Sequence, residues 1–210
     1  MDERKIRMRK FEPVKDDMRK VVPQGDVVEL PVRATKNSCG YDFFATEDFS
    51  IKPGDKYLMW SDVKVSMEKD EFLMIDVRSS LGIKSDLMLA NTIGIGDADY
   101  YSNPGNDGNY GICLRNLKPA MSIRGYAFAE LPMYTRKDVN GLTLVSKNDE
   151  GAGKTIMEFP IPIIDNLLEE NTVHIKKGER ICQGIFVKYQ TAVNCNLDEE
   201  RVGGFGSTSK

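Results

Sequence analysis

The chain has 210 residues, enough for one domain with room for an insertion and for a core that needs no disulfide or metal staple. At 40% hydrophobic and 29% charged residues it has an ordinary globular composition, which argues against a disordered chain. The net charge of -3 supplies no basic field, so no nucleic-acid partner is expected and an anionic substrate must be held by local donors.

The N-terminal segment is charged and lacks the apolar stretch of a secretory signal. No apolar run approaches the ~20 residues of a membrane span, so a cytoplasmic protein without membrane contact is expected. Lys5 to Arg9 alternates like a half-buried strand, as does Asp62 to Met67. Glu71 to Val77 and Ile181 to Tyr189 read as more buried strands. Turns are expected at Pro53-Gly54, Asn103-Pro104-Gly105 and Lys177-Gly178. Helical spacing is scarce: Val14 to Val21 fits a turn or two, and Ile164 to Glu170 is the best helix candidate. Many short strands at regular spacing argue for an all-β sandwich or barrel. Residues 118–172 break the rhythm with aromatic pieces, a polar Gly-rich stretch and a Pro-flanked apolar piece. They read as an insertion in one loop.

Cys39, Cys113, Cys182 and Cys195 form no C-x-x-C pair and sit in or beside apolar runs. Buried, reduced thiols are expected. The single histidine, His174, lies between Val173 and Ile175 and reads as structural.

Five short stretches carry chemistry. In Asn37 to Ala45, a turn enters a strand, and Asp42 between Tyr41 and Phe43 needs a partner or a function. Arg78-Ser79-Ser80-Leu81-Gly82 puts a guanidinium fork, two hydroxyls and turn N–H groups together. This suits phosphate oxygens, or is simply a polar strand end. Asn91 to Tyr100 reads as a Gly-rich hairpin whose Asp97 and Asp99 share one strand face and repel one another. It is compatible with a hydrated turn or with a general base. Lys176 to Phe186 holds a hairpin turn and then Gln183, a polar side chain inside an apolar strand. Arg201 to Thr208 is either a loose tail or a phosphate-covering flap, with glycines that let N–H groups approach and Phe205 as a stacking face. Gly151 to Thr155 imitates the end of a P-loop, but Asn148 stands where the leading glycine is needed.

In order and context these five stretches resemble the motifs of the trimeric all-β dUTPases. The resemblance covers residues 1–117 and 173–210. It implies a jelly-roll, β-clip type barrel over residues 1–210, with 118–172 inserted and 198–210 as a flap. It implies hydrolysis of dUTP to dUMP and pyrophosphate by in-line attack of water on the α-phosphorus. Asp97 then stands where the family's water-activating carboxylate stands, and Asp42 where the motif-one acid of the catalytic environment stands. Tyr100 matches the residue under the deoxyribose that leaves no room for a 2′-OH. Asn91 and Gly94 belong to the uracil-reading segment. Arg78, Ser79, Ser80 and Gln183 match the phosphate-binding group. Arg201, Phe205, Gly206 and Ser207 match the closing flap. The resemblance also implies Mg²⁺ held mainly by triphosphate oxygens and water, and a homotrimer with shared sites.

The pattern departs in four places. Gly96 precedes Asp97 where Ile is usual, which is expected to loosen the hairpin. Tyr101 to Gly105 elongates it. Motif two carries Ser80 and Gly82, and motif five is one residue short between Arg201 and Phe205. Two rival readings compete. A dCTP deaminase of the same fold would need a glutamate where Cys113 stands, and no Glu lies between Tyr100 and Asn116. A regulatory module would act by docking a protein partner through 118–172.

Overall fold

The structure, a computed structural model, describes residues 9–130 and 158–193. Its regular elements are mainly strands, as period-two patterning requires. In chain order they are β1 (Lys10–Pro13), β2 (Val32–Arg33), β3 (Tyr41–Phe44), β4 (Phe49–Ile51), β5 (Lys56–Trp60), β6 (Val63–Ser66) and β7 (Glu71–Val77). Helix α1 (Ser79–Ser85) is followed by β8 (Leu87–Leu89), β9 (Gly94–Asp97) and β10 (Gly111–Asn116). The last strands are β11 (Met121–Glu130), β12 (Glu158–Asn166), β13 (Val173–Ile175) and β14 (Arg180–Lys188).

The fold is all-β. One sheet has the order β2-β3-β14-β7-β9 and another β5-β10-β8, with two-stranded pairs β1-β6, β13-β4 and β11-β12. Every pairing is antiparallel. Strand β14 lies between β3 and β7, although both precede it by about a hundred residues or more. That insertion sets three of the five motifs side by side. Phe43, Met59, Val65, Leu73, Leu114 and Ile181 form the core at 0–1% exposure. Burial of each such side chain contributes about 1.5–3 kcal/mol.

Strand β7 and the turns at Gly54 and Gly178, both with positive φ, match the sequence reading. Three elements differ. All four residues of β6 are buried rather than alternate ones. Lys64 tolerates this because its ammonium donates to Asp107 at 2.8 Å. Residues Ile164 to Glu170 form no helix, because Ile164 pairs with Ile123 in β12 and a turn follows at Leu168. There the Asn166 side chain accepts the Leu168 N–H at 3.0 Å, a local bond that ends the strand. Of the three described cysteines, only Cys182 is fully buried, and Cys39 is exposed. Cys39 stands outward in the turn before β3, so its apolar neighbours do not enclose it. Lys5 to Met8 of the first expected strand lie outside the described residues.

Pro119–Leu168 forms a compact unit of its own. Within it β11 and β12 make a ribbon with a bulge between Ile123 and Gly125. Pro162 is tolerated in β12 because each strand of a two-stranded ribbon has an open edge. Met121, Ile123, Tyr126 and Ile164 stand exposed on it. Among the described residues no helix is long and apolar enough to cross a membrane.

Candidate functional site

Asp42 is the centre of the first group. It sits in β3 at 0% exposure, opposite Gln183 of β14. Gln183 Nε2 donates to its Oδ1 at 3.0 Å and Arg180 donates to Oδ2 at 3.3 Å. The Arg78 guanidinium lies 3.3 Å from Oδ1. One buried carboxylate thus orients two arginines and a glutamine drawn from two other motifs. Glycine at position 40 leaves room for this, since a Cβ there would come 3.1 Å from the Gln183 Cβ. Sequence reasoning singled out Asp42, Arg78 and Gln183 but took Arg180 as part of a turn. Its signal was register: it opens the strand whose Gln183 faces Asp42.

Arg78 also follows β7 and stands at the N-cap of α1. Its N–H donates to the Ile181 carbonyl at 3.0 Å, and its own carbonyl accepts from Leu81 and Gly82. Ser79 and Ser80 open the helix, Ser79 exposed and Ser80 half-buried. Both hydroxyls belong to the residues that directly follow Arg78, whose guanidinium Asp42 orients. This is a donor-rich surface suited to phosphate oxygens.

The second group is at the other edge of the sheet. Strand β9 begins at Gly94 and ends at Asp97; among the described residues it pairs only with β7, and β8 only with β10. The expected hairpin is therefore a crossing between two sheets, turned at Thr92 with φ 68°. Asp97 is half-buried at the strand end. Asp99 does not share its face: residues Ala98–Tyr100 form a 3-10 turn, and Asp99 is exposed. Nor does Gly96 loosen the segment. A Cβ there would lie 2.3 Å from Tyr110, whose ring fills the space. Tyr100 is 7% exposed; its hydroxyl donates to the Asn109 carbonyl at 2.7 Å and its ring meets Tyr110 edge-on.

An open cleft of about 340 Å³ is lined by Asn91 with Leu58, Ala90, Gly111 and Cys113. Only Asn91 was legible as a binding residue. Gly111 and Cys113 face the cleft because β10 alternates, with Ile112 and Leu114 turned into the core.

The two groups are not adjacent. Asp97 stands opposite Phe72 at one end of β7, whereas Arg78 follows Val77 at the other. Six residue steps of extended chain separate these positions, roughly 20 Å. Arg201, Phe205, Gly206 and Ser207 lie outside the described residues. So does Cys195.

Among the described residues, no group of three or more His, Cys, Asp or Glu could hold a metal ion. Both Asp42 oxygens are engaged by arginine or glutamine. His174 is exposed with Nδ1 2.7 Å from the Ser50 hydroxyl, far from any of these roles. Burial pushes the Cys182 thiol well above its usual range, with Asp76 adding to the effect, so it is no nucleophile.

No family model matches the chain. It is 30% identical over 183 residues to the deoxyuridine 5′-triphosphate nucleotidohydrolase of Lactococcus lactis subsp. lactis, covering 86% of this chain and 88% of that relative. The dUTPase of Streptococcus mutans is similar in structure, with a TM-score of 0.55 and 25% identity, over 87% of this chain and 97% of the other. The fold is also like that of the dUTPase of Staphylococcus aureus phage phi11, described for its species-specific insert. That comparison has a TM-score of 0.52 and 21% identity, over 91% of this chain and 97% of the other. The chain belongs to the deoxyuridine 5′-triphosphate nucleotidohydrolase family.

Proposed function

We propose that the chain hydrolyses dUTP to dUMP and pyrophosphate. The observation that carries this reading is the convergence of Arg78, Arg180 and Gln183 on buried Asp42. It fixes donors for a triphosphate without a metal cage. Asp42 itself is a positioning residue here, since it is buried and its oxygens are engaged. Ser79 and Ser80 add hydroxyl donors at the same end of β7.

Asp97 accepts the proton of the water that attacks the α-phosphorus in line. Donors aimed at the phosphate oxygens stabilise the charge that develops as the pyrophosphate leaves. Asn91 and Gly94 read the uracil edge, and the cleft of Ala90, Asn91 and Gly111 receives the base. Tyr100 lies under the deoxyribose. Arg201, Phe205, Gly206 and Ser207 close over the nucleotide. Mg²⁺, held by triphosphate oxygens and water, supplies charge neutralisation on the phosphates when bound.

The roughly 20 Å between the Asp97 and Arg78 ends of β7 supports a homotrimer with shared sites. One copy supplies the base and water-activating side, and a neighbour supplies the phosphate side. The activity is assigned to the cytoplasm. Cys113 at the position that a deaminase would need as glutamate argues against deamination of dCTP. The exposed apolar residues of the β11–β12 ribbon favour a protein partner docking on the insert.

The test is a substrate panel with pyrophosphate detection on dUTP, dTTP and dCTP, with ammonia measured alongside. Release from dUTP above the others supports the reading. Ammonia from dCTP at a rival rate would overturn it.

A further inference from the structure

The loop from Tyr100 to Gly111 departs from the family pattern, and it is built around buried amides. Asn103, Asn106 and Asn109 are 4%, 9% and 0% exposed. Their bonds converge on Tyr100. Asn103 Nδ2 donates to the Tyr100 carbonyl and to Asn106 Oδ1, each at 2.8 Å. Asn106 Oδ1 also accepts the Gly108 N–H at 3.1 Å. Asn106 Nδ2 donates to the Tyr100 hydroxyl at 2.7 Å and to the Asn109 carbonyl at 3.2 Å. That same carbonyl accepts from the Tyr100 hydroxyl at 2.7 Å.

The far end of this network is anchored. Asn109 Nδ2 donates to Asp62 Oδ1 at 2.7 Å, and Asn109 Oδ1 accepts the Asp62 N–H at 3.0 Å. Asp62, at 0% exposure, accepts the backbone N–H groups of Lys20, Val21 and Val22. The Tyr100 hydroxyl is thereby tied through Asn109 to a second chain segment. Burying three amides gains little net stability over apolar filling, because each must first be desolvated. What a fully satisfied network provides is one fixed geometry. The atom it fixes is the hydroxyl of Tyr100.

We infer that Asn106 is a positioning residue that sets the sugar specificity of the site by holding the Tyr100 ring. This rests on the dUTP reading, in which Tyr100 lies under the deoxyribose and leaves no room for a 2′-OH. A ring held only by packing can tilt to admit one further oxygen. A ring whose hydroxyl both donates to Asn109 and accepts from Asn106 cannot tilt without breaking a buried bond.

The test compares pyrophosphate release from dUTP and from UTP by the full chain, as wild type, Asn106→Asp, Tyr100→Phe and the double variant. Asn106→Asp keeps the volume and the two bonds accepted at Oδ1, and replaces the amide nitrogen that donates to the Tyr100 hydroxyl and to the Asn109 carbonyl. The dUTP-to-UTP ratio of kcat/KM is expected to fall about five- to tenfold in Asn106→Asp, the equivalent of one buried hydrogen bond. Tyr100→Phe is expected to lower it similarly, and the double variant no further. An asparagine that merely supports the loop would lower the unfolding temperature and leave the ratio at its wild-type value, and that result overturns the inference. If Asn106→Asp does not fold, Tyr100→Phe decides: an unchanged ratio again overturns it. A wild type that releases no pyrophosphate from dUTP defeats the substrate reading and this inference together, whereas turnover with an unmoved ratio defeats the inference alone.

Discussion

Gly96 and Tyr110 are complementary: a Cβ on Gly96 would lie 2.3 Å from the Tyr110 hydroxyl and ring edge. Tyr110 is 6% exposed and packs edge-on against Tyr100. The glycine before Asp97 is therefore a packing requirement. Gly96→Ala is expected to destabilise the protein by about 1–3 kcal/mol, the usual range for overpacking. Adding Tyr110→Leu should recover part of that loss. Thermal unfolding of the two single variants and the double would show it; strictly additive losses would refute the complementarity.

Asp42 holds two arginines and Gln183 at once. Asp42→Asn keeps the shape but removes the charge that Arg78 and Arg180 share. Those side chains are 30% and 42% exposed, so water compensates them in part. The expected stability loss is about 1–2 kcal/mol. The larger effect should be on dUTP, with KM rising roughly tenfold as the phosphate donors lose their orientation. Steady-state kinetics with an unchanged KM would remove Asp42 from its positioning role.

Asp97 stands half-buried at the end of β9. Asp97→Asn keeps the side-chain shape and loses the proposed proton acceptor. Nucleotide binding is expected to persist while hydrolysis falls by a factor on the order of 10² to 10⁴. Equilibrium binding of a non-hydrolysable dUTP analogue, set beside single-turnover hydrolysis, separates the two. A variant retaining most of the wild-type turnover would exclude Asp97 as the base.

Asp107 gives an acid-sensitive fastening. Burial by itself would raise its carboxyl. The Lys64 hydrogen bond, the Lys15 backbone N–H and the two ammonium charges outweigh this and hold it below the usual carboxylate range. A carboxyl lowered on folding stabilises the protein above its unfolded value of about 3.9. That contribution is lost as the pH falls through the lowered folded value. Unfolding temperature measured from pH 7 down to pH 3 should drop more steeply for wild type than for Asp107→Asn. Parallel curves would show that Asp107 does not supply the acid sensitivity.

Much of the site was readable residue by residue. Asp42 was marked by its apolar neighbours, Gln183 by its apolar strand, and Arg78 by the hydroxyls that follow it. The errors have physical causes. Asp97 and Asp99 were given one face on the assumption that the strand continues, but the chain turns at Ala98. Ile164 to Glu170 has helical spacing, yet Ile164 is claimed by its β11 partner Ile123. Strand β6 alternates in sequence but is covered on both faces, with Lys64 neutralised by Asp107.

The all-β class, the order of the motifs and the residue types able to bind a triphosphate are written in the linear chain. These are local properties, since period-two patterning states which face a side chain takes and a turn states where a strand stops. The linear chain left open which strand lies beside which. Tertiary structure decided that β14 enters between β3 and β7, in the register that sets Gln183 against Asp42 and brings Arg180 to the same carboxylate. It also decided that Asp97 and Arg78 take opposite ends of β7, and that the asparagines of the 101–110 loop close around Tyr100. Pairing between distant strands follows from mutual packing and backbone hydrogen bonds, to which no single segment holds the answer.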